Sequence, residues 1–145
     1  MEFNPINLFG FIIVVIMLIP NIIYGIKFKG LENKCTNKAM NVIEQAGRYG
    51  SMALMVLPLG VWKFGFPSLG DLLLWLFGNG TLLLLYWGCW IPYLCRPSRK
   101  LAIALAVIPT CIFILSGLTL QHWLLVIAGI VFGIGHIYVT LKNNI

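Results

Sequence analysis

Leu8-Phe9-Gly10-Phe11-Ile12-Ile13-Val14-Val15-Ile16-Met17-Leu18-Ile19 contains no charged or amide side chain. Pro20 and Asn21 interrupt the run, and Ile22-Ile23-Tyr24 resume it. About 20 mainly apolar residues are needed to cross the hydrocarbon core of a bilayer as a helix. The run meets that need, so it reads as a membrane helix from about Pro5 to Ile26. Asn4 suits the N-cap, and Pro5 suits the first helical position. No basic n-region opens the chain and no small-residue cleavage site follows the run. The segment is therefore expected to remain as a span. Pro20 frees a carbonyl four residues back and can kink the helix.

The rest of the chain has the same character. Of 145 residues, 60% are hydrophobic and 10% charged, and mean hydropathy is +0.95. Soluble domains are roughly 45–50% apolar and about 25% charged. This composition cannot cover a water-facing surface, which excludes a soluble enzyme, a disordered chain and a secreted disulfide scaffold. Four more apolar segments follow, at about 39–62 (with Pro58), 71–94 (Asp71 as N-cap), 101–120 (with Pro109) and 123–141. The expected fold is an all-α integral membrane protein, a bundle of five transmembrane helices forming a single transmembrane domain over residues 1–145.

Charge orients that bundle. Lys27, Lys29, Lys34, Lys38, Arg96, Arg99, Lys100 and Lys142 fall on one side, and Lys63 alone falls on the other. Cytoplasmic loops carry an excess of Lys and Arg. The N-terminus is therefore expected outside and the C-terminus in the cytoplasm, in a multi-pass protein of the plasma membrane. Trp62, Trp123 and Tyr24 sit near span ends, where amphipathic rings favour the interface. The net charge of +6 forms no face with interleaved aromatics, so no nucleic acid is expected. Cys35, Cys89, Cys95 and Cys111 match no metal-ligand spacing and read as small apolar fillers.

Polar residues inside the apolar segments need a reason, because burying them without partners costs free energy. Helix 2 carries Asn41, Glu44, Gln45, Arg48 and Ser51 at spacings of three and four, which places them on one side of the helix. Glu44 precedes Arg48 by four residues, the favourable order for an intrahelical ion pair. Two readings stay open. The stripe snorkels to the headgroups, or it lines a polar pocket, with Gly47 and Gly50 allowing close helix approach. In helix 5, His136 and Thr140 continue the face of Gly129 and Gly133. His136 and Asn21 each lie six residues from a basic helix end, at the depth of Glu44. Trp87, Trp90 and Tyr93 stand near the inner end of helix 3, as an interfacial belt or as apolar walls for a ligand. The outer half looks almost purely apolar apart from Asn79.

The expected ligand-binding set is therefore Arg48, Glu44, Gln45, Asn21 and His136, walled by Trp87, Trp90 and Tyr93, in the cytoplasmic third. The expected function is binding or transport of a small anionic or amphipathic ligand. No hydrolase, P-loop or zinc-protease motif occurs; no catalytic residue, metal or cofactor is expected. Two alternatives remain. One is an accessory subunit that meets a membrane partner or a second copy through the Gly129/Gly133 face. The other is an intramembrane lipid-modifying enzyme with Glu44 or His136 as base.

Overall fold

A computed structural model describes residues 7–28, 34–57 and 65–143. They form five helices: α1 (Leu8–Lys27), α2 (Lys38–Val56), α3 (Leu69–Cys95), α4 (Arg99–Thr119) and α5 (Trp123–Asn143). The architecture is an all-α membrane bundle, and the protein is a multi-pass membrane protein. Four of the helices (α1, α3, α4 and α5) are long and apolar enough to cross a bilayer. The expectation of five such segments is met by length but not by composition. α2 has 19 residues and carries Lys38, Glu44 and Arg48.

The helix starts follow local capping chemistry. An N-cap side chain accepts a backbone N–H that the helix cannot satisfy itself. Asn7 does so from Gly10 at 3.0 Å, and Asn37 from Met40 at 3.2 Å. Ser68 accepts from Asp71 at 3.1 Å, and Ser98 from Leu101 at 3.3 Å. Two expectations are corrected here. Asn7 caps α1, where Asn4 was expected; Asn4 and Pro5 lie outside the described residues. Asp71 is not the cap of α3 but sits three residues inside, where its carboxylate accepts from the Ser68 hydroxyl at 2.7 Å. α2 ends at Val56, and Pro58, Trp62 and Lys63 lie outside the described residues.

α4 ends in a Schellman turn. His122 N–H bonds Gly117 O at 2.8 Å and Gln121 N–H bonds Leu118 O at 3.3 Å, with Gln121 in the left-handed region at φ 51°. That closes a short hairpin into α5.

Neighbouring helices form a closed ring in the order α1, α2, α5, α4, α3. The α2–α5, α5–α4 and α4–α3 seams are broad, whereas α1 is lightly held on both sides. Direction alternates along the chain. Asn7 N–H bonds Val56 O at 2.9 Å at one end. At the other, Lys27 Nζ donates to Leu94 O, and Lys34 N–H donates to Asn143 Oδ1 at 2.7 Å. Lys27, Lys34, Lys38, Arg96, Arg99, Lys100 and Lys142 therefore gather at a single end of the bundle.

The α2–α5 seam is built on glycine. A Cβ on Gly135 would stand 2.6 Å from Glu44 N, and one on Gly47 would stand 2.5 Å from Phe132 Cα. Only hydrogen fits at either place, so the two backbones touch. Gly50, also expected in this role, faces open space.

Candidate functional site

The site follows from that close approach. Because Gly135 lies on the backbone of Glu44, the neighbouring His136 is delivered directly to the Glu44 side chain. His136 Nδ1 stands 3.1 Å from Glu44 Oε1. Arg48 Nη2 donates to the same oxygen from one turn along α2. Helical side chains lean towards the N-terminus, which carries the guanidinium back to the carboxylate. Glu44 is buried at 5% exposure, and it is the hub of the cluster. The His136 ring stacks on Phe132, with centroids 4.7 Å apart. That contact holds the imidazole in place from within α5. A guanidinium has five N–H donors, and the Arg48 side chain keeps 33% of its surface open.

A second polar contact joins α1 to α3. Asn21 Nδ2 donates to Met17 O at 2.7 Å and to the Tyr86 hydroxyl at 2.8 Å. The amide thus adds a second donor to the Met17 carbonyl, one residue past the Ile16 carbonyl that Pro20 frees, and also pins the lightly held α1. Asn21, Tyr86, Glu44 and His136 stand six to nine residues from the basic end of their helices, so side chains of four helices form one polar layer. Below it Tyr24, Trp90 and Tyr93 pack on one another, with centroids 5.5–5.9 Å apart.

The expected residues therefore divide. Glu44, Arg48 and His136 meet, whereas Asn21 pairs with Tyr86. Gln45 is exposed, because one helical residue is a 100° rotation and carries it off the α5 contact. Asn41 turns to the preceding loop and donates to Cys35 O at 3.0 Å. Trp90 and Tyr93 are buried against α1, where they close the bundle below the polar layer. Trp87 lies apart from the cluster, lining a groove of about 510 Å³ with Ile16, Gly80, Leu83 and Leu84. The Gly129/Gly133 face is spent inside the chain. Cβ atoms there would stand 3.1 Å from Phe113 and 2.5 Å from Thr110, so α4 occupies the surface expected to meet a partner.

Two features were missed from the sequence. Tyr86 is one, although its spacing of four from Trp90 and seven from Tyr93 put it on their face. The other is a polar interior in the half of the bundle away from the basic end. Trp75 Nε1 and Asn79 Nδ2 both donate to Ser116 Oγ, at 3.1 and 3.2 Å. Ser51, Asn79, Ser116 and His122 are all fully buried. The four-residue spacing of Trp75 and Asn79 was the available signal. His122 Nδ1 accepts from Leu125 N–H at 3.4 Å, and the ring also bonds the Leu57 backbone. Burial holds its pKa below the ordinary 6.5, against the opposing effect of the Leu57 bond.

Among the described residues no group of three or more His, Cys, Asp or Glu side chains could hold a metal ion. No protein-family model, curated protein or solved structure matches the chain.

Proposed function

We propose that this protein binds, and carries across or within the membrane, a small amphipathic ligand with an anionic head. One observation carries the reading: a buried carboxylate holds Arg48 by one edge and leaves a third of that side chain open. An intramembrane charge is costly and marks function by default. Glu44 and His136 orient the guanidinium, whose remaining donors suit a carboxylate or phosphate in bidentate geometry. The apolar helix faces around it suit the ligand's hydrocarbon part. In this reading α2 lies in the bilayer beside α5, the basic end faces the cytoplasm, and the host is the plasma membrane.

Two other readings have less behind them. The enzyme reading has nothing behind it beyond the Glu44–His136 contact itself, with no hydrolase, P-loop or zinc-protease motif in the chain. The accessory-subunit reading loses the one surface that pointed to it, because the glycine face of α5 is covered by α4.

The test is thermal stabilisation by dodecyl phosphate in neutral detergent micelles. Wild type is expected to gain stability with dose, and Arg48→Ala to need at least tenfold more amphiphile, about 1.4 kcal/mol in binding. Equal shifts in the two proteins would remove Arg48 from the site.

A further inference from the structure

The buried polar residues continue the Glu44 cluster through the bundle. α2 and α5 lie antiparallel, with Glu44 on Gly135 and Gly47 on Phe132. Extending that register puts Ser51 opposite Ala128, next to Gly129, which rests on Phe113 and Ile114 of α4. Leu115 of α4 in turn lies on Gly78 of α3, and the next residue, Ser116, holds Trp75 and Asn79. Ser51, Ser116 and Asn79 thus share one level within about a turn. They stand roughly 10 Å beyond Glu44 at 1.5 Å per residue. Another 10 Å or so along α2, Leu57 meets His122, beside the start of α1, where Asn7 is bonded to Val56.

Three of these buried side chains have polar atoms without a hydrogen-bond partner among the described residues: Ser51 Oγ, Asn79 Oδ1 and Asn7 Nδ2. The residues that own them are wholly buried. A buried polar atom without a protein partner is ordinarily satisfied by ordered water, which bridges two to four such groups. The atoms come from α2, from α3 and from the cap of α1; Ser51 and Asn79 lie between the Glu44 cluster and His122, and Asn7 lies at the His122 end. Chains of Glu, His and bridging groups inside a bundle are the usual form of a proton relay. The groups bonded to Glu44 are the Arg48 guanidinium on its own helix and the His136 imidazole on α5. Arg48 and Glu44 cancel where the line crosses the inner third, so no isolated charge blocks it.

We propose that the buried line Glu44–Ser51–Asn79/Ser116–His122 is a proton path through the bundle, completed by bridging waters. The Ser51 and Ser116 hydroxyls, the bridging waters, the Glu44 carboxylate and the His122 ring each take one proton and release one on the far side, while the Asn79 carbonyl orients a water and passes no proton itself. One proton leaves for each that enters, and no bond to carbon changes. The path does not rest on the ligand reading and operates without a ligand.

The experiment uses the full chain in liposomes with a trapped pH dye and a potassium diffusion potential set by valinomycin. Wild type is expected to acidify the lumen at least tenfold faster than protein-free vesicles. Ser51→Ala and Asn79→Leu are each expected to slow that flux at least fivefold, while Leu84→Ala on the exposed face of α3 leaves it unchanged. Helical content and monodispersity are checked first. Ser51→Ala removes one oxygen and carries the test alone if Asn79→Leu does not fold. Wild-type flux no faster than in empty vesicles, or wild-type flux in Ser51→Ala, would overturn the proposal.

Discussion

Glu44 shows how much one side chain decides in this protein. Its carboxylate neutralises Arg48, bonds His136 and ties α2 to α5. Removing one member of a buried ion pair leaves the other uncompensated and costs about 3–5 kcal/mol when both are dry. Arg48 is one-third open, which lowers the expected loss for Glu44→Gln to about 2–3 kcal/mol. Thermal unfolding in detergent measures it, and an unchanged Tm would mean that the cluster adds nothing to stability. The Glu44–Arg48 pair is legible from a spacing of four in one helix. Its contact with His136, 92 residues away, is not, because no local pattern says which glycine of α5 meets which residue of α2.

Among the helices, the same seam explains why α2 stays in the bundle without the apolarity of its neighbours. Its stability comes from contact with α5, and that contact depends on missing side chains. Gly135→Ala puts a methyl 2.6 Å from Glu44 N, so the helices must separate. The expected cost is about 1–3 kcal/mol, with a weaker Glu44–His136 bond. Gly50→Ala meets nothing within 4 Å and is expected to be neutral or to stabilise by up to about 1 kcal/mol through helix propensity. Thermal unfolding of the pair separates packing from propensity. The α4–α5 turn supplies a pH signature. The folded pKa of His122 lies below its unfolded 6.5, so between the two values the unfolded chain binds more protons and stability rises with pH. The contribution is complete above about pH 6.5 and is lost as pH falls below it. Wild type is expected to lose Tm between pH 7.5 and 5.5 more steeply than His122→Gln. Parallel slopes would show that His122 does not carry the dependence.

For the bundle as a unit, alternation of direction gathers the basic residues at one end, the end expected to face the cytoplasm. Cys95 is exposed at that end and Cys35 is buried. A membrane-impermeant maleimide is therefore expected to label Cys95 in inverted vesicles and not in intact cells. Labelling from outside the cell would reverse the topology.

Membrane class, the approximate spans and the asymmetry of charge were readable from the chain, because they depend on composition and on periods of a few residues, which bilayer thickness and helix geometry translate directly. The Glu44–Arg48 pairing belongs with them. Tertiary structure alone decided that α5 spends Gly129 and Gly133 on α4, that Gln45 and Trp87 leave the cluster, and that Tyr86 pairs with Asn21. It also put buried polar groups into the half away from the basic end, where the sequence looks apolar apart from Asn79. Those outcomes depend on which helices become neighbours and at what register. A sliding window cannot contain that information, since a shift of one residue rotates a side chain by 100° and moves it from an interior contact to the lipid.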